Sequence, residues 1–286
     1  MALIKKIRLR QIRFSARMAN GLCRLPGGGP AFRALRRWGM TRRVVDSVLG
    51  YHRAFPTLVA ASAYAAPYAN RGHENPGNAH WHMGTLGITQ DSDYAVLLFM
   101  EINRKYIKSI FDLGGNMGNL FYRYDSYLHF DDTLSWVVCD LPDNISYGIS
   151  HAKKAGESRI AFTDDVRRMS GCDLLLISGA LHYFEDPVAI LSSMAEKPKF
   201  VIVNRTPLTD LPSYAAVQDN GPFVTACAVH NRTSLLEGLG RLGYRLRDQW
   251  SAYEFQIRIA GDPLRSVPHY SGFFMEWQAP ASASSP

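Results

Sequence analysis

Ile110-Phe111-Asp112-Leu113-Gly114-Gly115-Asn116-Met117-Gly118 runs an apolar segment into an acidic residue, and from there into a turn that holds three glycines within five positions. Glycine has no Cβ, so such a turn lets backbone approach a ligand where any side chain would collide. The hundred or so residues that follow decide what the turn is for.

Those residues alternate. Strands are expected at Ser109–Leu113, Leu134–Cys139, Arg159–Phe162, Asp173–Ser178 and Phe200–Val203, with helices between them at Asn119–Leu128, Asn144–Ala155 and Pro187–Ala195. A helix at Ser234–Leu242 carries a Ser234-x-x-Glu237 capping box. Late strands are expected at Tyr244–Trp250, Glu254–Ile259 and Gly272–Trp277, the first two as a hairpin. Apolar strands alternating with helices imply a mainly parallel sheet covered on both faces. The expected fold class is therefore α/β: a Rossmann-like, doubly wound, mainly parallel seven-stranded sheet with antiparallel C-terminal strands and an N-terminal helical extension. The glycine turn is then the nucleotide-binding turn at the end of the first strand.

The domain plan follows. Residues 1–43 form a basic extension, 44–104 a helical or lid region, 105–278 the nucleotide-binding domain and 279–286 a small, polar tail expected to be disordered. A helical hairpin is expected from Ala31 to Tyr68, and a helix from Asp93 to Tyr106. Residues 70–92 are polar and turn-rich, as in a lid or substrate loop. His73, Glu74, His80 and His82 sit there, but their spacing matches no helical metal motif, and no metal is expected.

Charge is unevenly distributed. Residues 1–43 hold 12 Lys and Arg and no acidic residue, while the other 20 basic residues face 25 acidic ones. The net +7 thus belongs to the N-terminus, and a nucleic-acid-binding body is not expected. Leu3, Ile4, Ile7, Phe14 and Met18 recur at near-helical spacing among these cations. A basic amphipathic helix in peripheral contact with an anionic membrane is one reading, a helix covering the domain another, and an Arg-rich presequence a third. No apolar run approaches the about 18 residues that span a bilayer. Cys23, Cys139, Cys172 and Cys227 lie far apart, which suggests buried free thiols and a cytoplasmic setting more than a disulfide framework.

In a doubly wound sheet, ligands bind beyond the carboxyl ends of the strands. Asp112, Gly114, Gly115, Asn116 and Gly118 end the first strand. Cys139-Asp140-Leu141 ends the second, with Asp140 placed 22 residues past Gly118 to accept ribose hydroxyls. Thr163-Asp164-Asp165 ends the third, where Asp164 is a candidate for an adenine amino group. Ser178-Gly179-Ala180-Leu181-His182-Tyr183 follows the fourth, and Asn204-Arg205-Thr206-Pro207 the fifth.

This set, in this order, resembles class I S-adenosylmethionine (SAM)-dependent methyltransferases over roughly residues 105–260. The usual turn reads D/E-x-G-x-G-x-G, and Asn116 replaces its middle glycine, a position Asn tolerates better than most residues. The pattern is closer still to a bacterial family of methyltransferase-type proteins often found near surface-polysaccharide genes. That family's marks here are the Gly114-Gly115-x-x-Gly118 turn with Phe121 and Tyr122, the run at 178–183, Asn204-Arg205-Thr206-Pro207-Leu208, Gln218, Gly243-Tyr244, Trp250 and Ser271-Gly272-Phe273. The family usually has Gln where His182 stands, so no role for His182 is inherited from it. The resemblance implies SAM as cofactor and a small-molecule or glycan acceptor methylated at a hydroxyl; the oligomeric state is left open. A Rossmann dehydrogenase is the competing α/β reading.

SAM is already activated, so the protein need only exclude water, align the acceptor and take up a proton. His182 is the candidate base, or else a packing residue. Tyr183 can face a sulfonium by a cation–π contact or fill the core. Asn204 and Arg205 are candidates for holding polar or anionic groups of the acceptor, or lie at the surface. Asp112 is expected to support the turn or meet the cofactor's amino group. Two other activities suit the same residues: cyclisation of SAM to azetidine-2-carboxylate with release of methylthioadenosine, and a non-catalytic SAM-fold scaffold.

Overall fold

The computed structural model describes residues 50–66, 88–219, 224–259 and 262–278, together with residues 18, 25–27 and 31. Most of the basic extension, most of the expected helical hairpin before residue 50, the four loop residues His73, Glu74, His80 and His82, and the tail lie outside the described residues.

In chain order the elements are β1 (Tyr51–Phe55), α1 (Leu58–Ala65), α2 (Asp93–Ile102), β2 (Ser109–Leu113), α3 (Asn119–Leu128), β3 (Ser135–Cys139), α4 (Pro142–Ala155), β4 (Ile160–Thr163), β5 (Leu174–Ser178), α5 (Pro187–Ser192), β6 (Phe200–Thr206), β7 (Leu208–Thr209), β8 (Tyr214–Asp219), β9 (Val224–Asn231), α6 (Arg232–Arg241), β10 (Tyr244–Ala252) and β11 (Tyr270–Trp277). Short 3₁₀ turns occupy Arg104–Tyr106, Val166–Met169, Leu181–Tyr183 and Pro263–Arg265.

Seven strands form the main sheet in the order β10-β11-β6-β5-β2-β3-β4. The five from β4 to β6 pair in parallel, while β11 runs antiparallel to both β6 and β10. The expected mixed sheet with an antiparallel C-terminal strand is therefore present. Alternate residues of one strand feed opposite faces, as period-two geometry demands. Leu174 and Leu176 pack with Trp136, Phe121 and Ala152 on the face covered by α2, α3 and α4. Leu175 and Ile177 pack with Leu191, Leu235 and Leu239 on the face covered by α5 and α6.

Helix ends carry local signals. Pro142 opens α4, Lys153 and Lys154 lie in its last turn, and Gly156 closes it with left-handed backbone. The cap of α6 differs from expectation. Asn231 accepts the Ser234 N–H at 2.8 Å, so the helix starts at Arg232, two residues before the expected capping box.

Two further expectations are corrected. Glu254–Ile259 makes no hairpin with β10; its link to neighbouring chain is an isolated bridge, Ile257 to Val267, and β10 pairs with β11 along Tyr244–Ala252. Residues 51–55, expected to be helical, form strand β1, which pairs with β8 in a second sheet of order β1-β8-β9-β7. One face of this sheet packs Ala215 and Val217 against α1; the other packs Ala216, Cys227 and Val229 against Ile257, Ile259 and Tyr270. The second sheet is thereby seated on the segment between β10 and β11.

Cys139, Cys172 and Cys227 are free thiols, pushed up to about 11, 12 and 12 with burial as the leading cause. Among the described residues no helix is long and apolar enough to cross a membrane.

Gly272 on β11 lies against the Trp250 indole of β10: a Cβ there would come within 2.2 Å of Trp250 Cε2. Trp250 cannot simply swing away, because its Nε1 donates to Asn204 Oδ1 at 3.0 Å. Gly272→Ala is expected to destabilise the protein by about 1–3 kcal/mol, the usual cost of overpacking. Urea unfolding checks this, as a lower midpoint at an unchanged slope.

Candidate active site

The glycine turn leaves β2 at the carboxyl edge of the main sheet. Gly114, Asn116 and Gly118 all have positive φ, at 74°, 58° and 83°. Asn116 takes the left-handed position that the middle glycine of the usual turn would fill, and its Oδ1 accepts the Met117 N–H at 3.0 Å. Gly115 is required for another reason. A Cβ there would lie 2.3 Å from Asp112 Oδ2, because the Asp112 carboxyl is folded directly beneath the turn. At Gly114 a Cβ would strike Ala180 Cβ at 2.3 Å, so the segment after β5 is pressed against the turn.

Asp140, at the end of β3, clamps this loop from the side. Its Oδ2 accepts the Asn116 N–H at 2.7 Å, and its Oδ1 accepts from Leu141 N at 2.7 Å and Asn144 Nδ2 at 2.6 Å. A carboxylate has about four acceptor positions, so roughly one remains on Oδ2. Burial raises the Asp140 carboxyl above its usual range, and the three donors pull it partly back.

Asp112 has far less support. It is fully buried, receives one bond from Trp136 Nε1 at 3.3 Å, and has no partner at Oδ1. Burial with so little compensation pushes its carboxyl up to about 8, with Asp140 adding repulsion. Ser178 Oγ, at the end of β5, also lacks a partner. Asp164 is exposed at the end of β4. Its neighbour Asp165 caps the 3₁₀ turn that follows, accepting the Arg167 N–H at 3.0 Å.

His182 and Tyr183 lie on the 3₁₀ turn after β5. The His182 ring is buried, 4.3 Å from the Tyr183 ring and 5.8 Å from that of Tyr270, centroid to centroid. His230 of β9 bonds the backbone of Leu181 and Phe184, and burial holds its imidazole below the usual value. The second sheet thus fixes the turn that carries His182 and Tyr183.

Asn204 and Arg205 were expected to meet an acceptor. Both are engaged by protein groups instead. Asn204 is fully buried, donates to Ser92 Oγ at 3.2 Å and accepts from Trp250 Nε1. Arg205 has left-handed backbone (φ 57°) at an irregularity in the β6–β11 pairing. Its guanidinium reaches Asp93 Oδ1, lies 3.6 Å from Glu254 Oε1, and donates to Ser92 Oγ at 3.1 Å. Asp93 also holds Arg123 at 3.1 Å and accepts from Tyr124 Oη at 2.8 Å and Gln90 N at 2.8 Å. The fork geometry that suits Arg205 to an anionic acceptor is thus occupied by two carboxylates.

Asp93, Ser92 and Glu254 carried no site signal in the sequence, where they read as a helix start, the loop before it and the start of a late strand. An acidic residue in a first helical turn is ordinary, and burial is what sets Asp93 apart. Among the described residues no group of three or more His, Cys, Asp or Glu is placed to hold a metal ion.

No family model and no curated protein matches the sequence. Solved structures give distant overlays. Burkholderia thailandensis 1,6-didemethyltoxoflavin-N1-methyltransferase, with its toxoflavin precursor and S-adenosylhomocysteine (SAH) bound, is 15% identical over 76% of this chain and 90% of its own, with a TM-score of 0.49. Magnesium protoporphyrin IX methyltransferase from Synechocystis PCC 6803, bound to SAH, is 13% identical over 65% of this chain and 81% of its own, TM-score 0.47. An O-methyltransferase of neocarzinostatin biosynthesis, bound to SAH and 1,4-dihydroxy-2-naphthoic acid, is 17% identical over 76% of this chain and 65% of its own, TM-score 0.46.

Two outcomes follow from the buried charges. Asp112 rises from 3.8 to about 8 on folding. The folded protein therefore holds an extra proton between those values; the associated stability is fully present below the lower value and is lost as pH rises through the upper one. Asp112→Asn is expected to remove a slope of up to about 1.4 kcal/mol per pH unit in that window, measured by urea unfolding from pH 4 to 9. Asp93→Ala, which leaves Arg123 and Arg205 without their shared carboxylate, is expected to cost about 3–5 kcal/mol in the same assay.

Proposed function

We propose that the chain binds SAM at the glycine turn and transfers its methyl group to a hydroxyl of a glycan or another small biosynthetic intermediate. One observation carries this: the Asp112–Gly118 turn, undercut by a buried carboxyl and clamped by Asp140, at the carboxyl edge of a sheet ordered β10-β11-β6-β5-β2-β3-β4. The residues fit the group. Cβ-free backbone at Gly114, Gly115 and Gly118 forms the cradle, and Asp112 Oδ1 and Ser178 Oγ are buried polar atoms without protein partners. Asp140 offers its remaining acceptor position to a ribose hydroxyl, and exposed Asp164 lies at the next strand end, where the adenine would reach.

When bound, SAM supplies an electrophilic methyl on a sulfonium. The protein's part is to bind, orient and keep water out. Leu141 and the turn hold the adenosine end. Tyr183 presents a ring to the cationic centre, and His182 behind it is the proposed holder of the acceptor's proton. Asn204 and Arg205 serve this site by fixing the end of β6 against the start of α2.

Incubation of the purified protein with SAM, followed by mass identification of the adenosine product, tests the assignment. Methyl transfer gives SAH; methylthioadenosine would identify cyclisation instead. Asp140→Ala is expected to weaken SAH binding about ten- to hundredfold, the loss of hydrogen bonds to a charged group. Calorimetry that finds no SAH binding to the unaltered protein would sink the cofactor assignment.

A further inference from the structure

Helix α2 is apolar on more than the side it buries. Val96, Leu97 and Met100 face inward, in one cluster with Leu174, Leu176, Phe200 and Ile202 of the main sheet. Asp93 and Glu101 are the charged residues of the helix, and Asp93 is buried. A helix that is apolar all round is expected to have a partner on every side. The outward residues are Tyr94, Leu98 and Ile102, at 55%, 54% and 62% exposed, and the turn that follows adds Tyr106 at 46%. Within the helix the spacing of four makes one continuous stripe, and Tyr106 carries it on.

Tyr127 of α3 widens the stripe. It is 48% exposed, and its ring meets that of Tyr94 edge-on with centroids 6.2 Å apart. Single exposed apolar residues are ordinary on a protein surface. Five neighbouring side chains of this size, each about half exposed, make a patch on the order of a few hundred Å², the size that marks an interaction site.

The order of residues along the stripe selects the partner. Its middle is aliphatic, and its ends are tyrosines: Tyr94 with Tyr127 at one, Tyr106 at the other. Lys199 Nζ lies 3.8 Å from the centre of the Tyr106 ring and Lys105 Nζ 4.6 Å from it, and both lysines are exposed. Other charges at this end are matched, Arg104 with Glu101 at 3.4 Å and Lys108 with Asp131 at 3.7 Å. The two lysines on Tyr106 therefore set its sign, while exposed Asp91 lies before the opposite end. A bilayer surface accepts such an arrangement. Aliphatic side chains enter the acyl boundary, tyrosines sit at headgroup level, and lysines meet anionic phosphates. Residues 1–43, with 12 cations and no acid, would meet like charge at Lys105 and Lys199, whereas an anionic lipid surface attracts all of these groups together. We infer that the outer face of α2, with Tyr106, Tyr127, Lys105 and Lys199, docks on an anionic phospholipid surface. This stands apart from the cofactor reading, and its test contains no SAM.

Co-sedimentation of the full chain with phospholipid vesicles is the test. Binding is expected to phosphatidylcholine vesicles that hold about a third phosphatidylglycerol, and about tenfold less to phosphatidylcholine alone. Leu98→Gln combined with Ile102→Gln is expected to weaken binding about tenfold through lost apolar burial. Lys105→Gln combined with Lys199→Gln is expected to weaken it about tenfold through lost charge. Melting temperature is expected to stay unchanged in both. Absence of binding to the anionic vesicles, or full binding by the Leu98 and Ile102 variant, overturns the assignment. So does a dimer, seen by sedimentation equilibrium without lipid, that the same variant dissociates, since the face would then belong to a second copy of the chain. If a variant fails to fold, acetylation of Lys105 and Lys199 in the unaltered protein decides. Anionic vesicles are expected to slow it severalfold, and equal rates with and without them overturn the inference.

Discussion

The carboxylate of Asp93 is the tie on which the carboxyl edge of the sheet depends. It is fully buried and meets Arg123 and Tyr124 of α3, Arg205 at the end of β6, and the backbone of its own helix start. Two guanidinium groups and one carboxylate in a low-dielectric interior repay their desolvation only if each is closely held. Glu254 completes the balance by taking Ser92 and lying beside Arg205. The strained backbone of Arg205 persists because its side chain is fixed at several points at once. The same tie closes the sheet edge around the glycine turn, so positioning of the site and stability of the fold share one set of residues.

Much of this architecture was legible from sequence, for a definite reason. Strands buried on both faces must be apolar throughout, and Leu174–Ser178 and Phe200–Val203 advertise that directly. The glycine turn was legible because only glycine survives above Asp112 and beside Ala180. The second sheet was not. Tyr214–Asp219 and Val224–Asn231 are rich in alanine and short polar residues, and they become strands because tertiary packing against α1 and the 257–270 segment overrides weak local preference. Tyr51–Phe55 shows no alternation of its own and takes its conformation from β8.

The site residues divide along the same line. Asp140 sits where its sequence position put it, but spends most of its acceptor capacity on the loop it holds. Asn204 and Arg205 pointed to a ligand because polar residues at a strand end usually do. Their partners, Ser92 and Glu254, lie more than a hundred residues before them and about fifty after, a distance that no local pattern bridges. Gln218 carried no local signal of its own, and its place beside Tyr51 comes from the pairing of β1 with β8.

The pairing of Tyr51 with Gln218 also sets an order of events. The two residues are 167 positions apart, so during synthesis β1 emerges long before its partner exists. The parallel core from β2 to β6 can collect behind it, whereas β1 waits until β8 has left the ribosome. Contacts of such long sequence separation form late, because the loop-closure entropy falls due before they return anything. The seam between the sheets therefore cannot close before β8 has been made, and the hydrogen bonds that join Gln218 to Tyr51 and Tyr183 exist only in a chain that has passed that point.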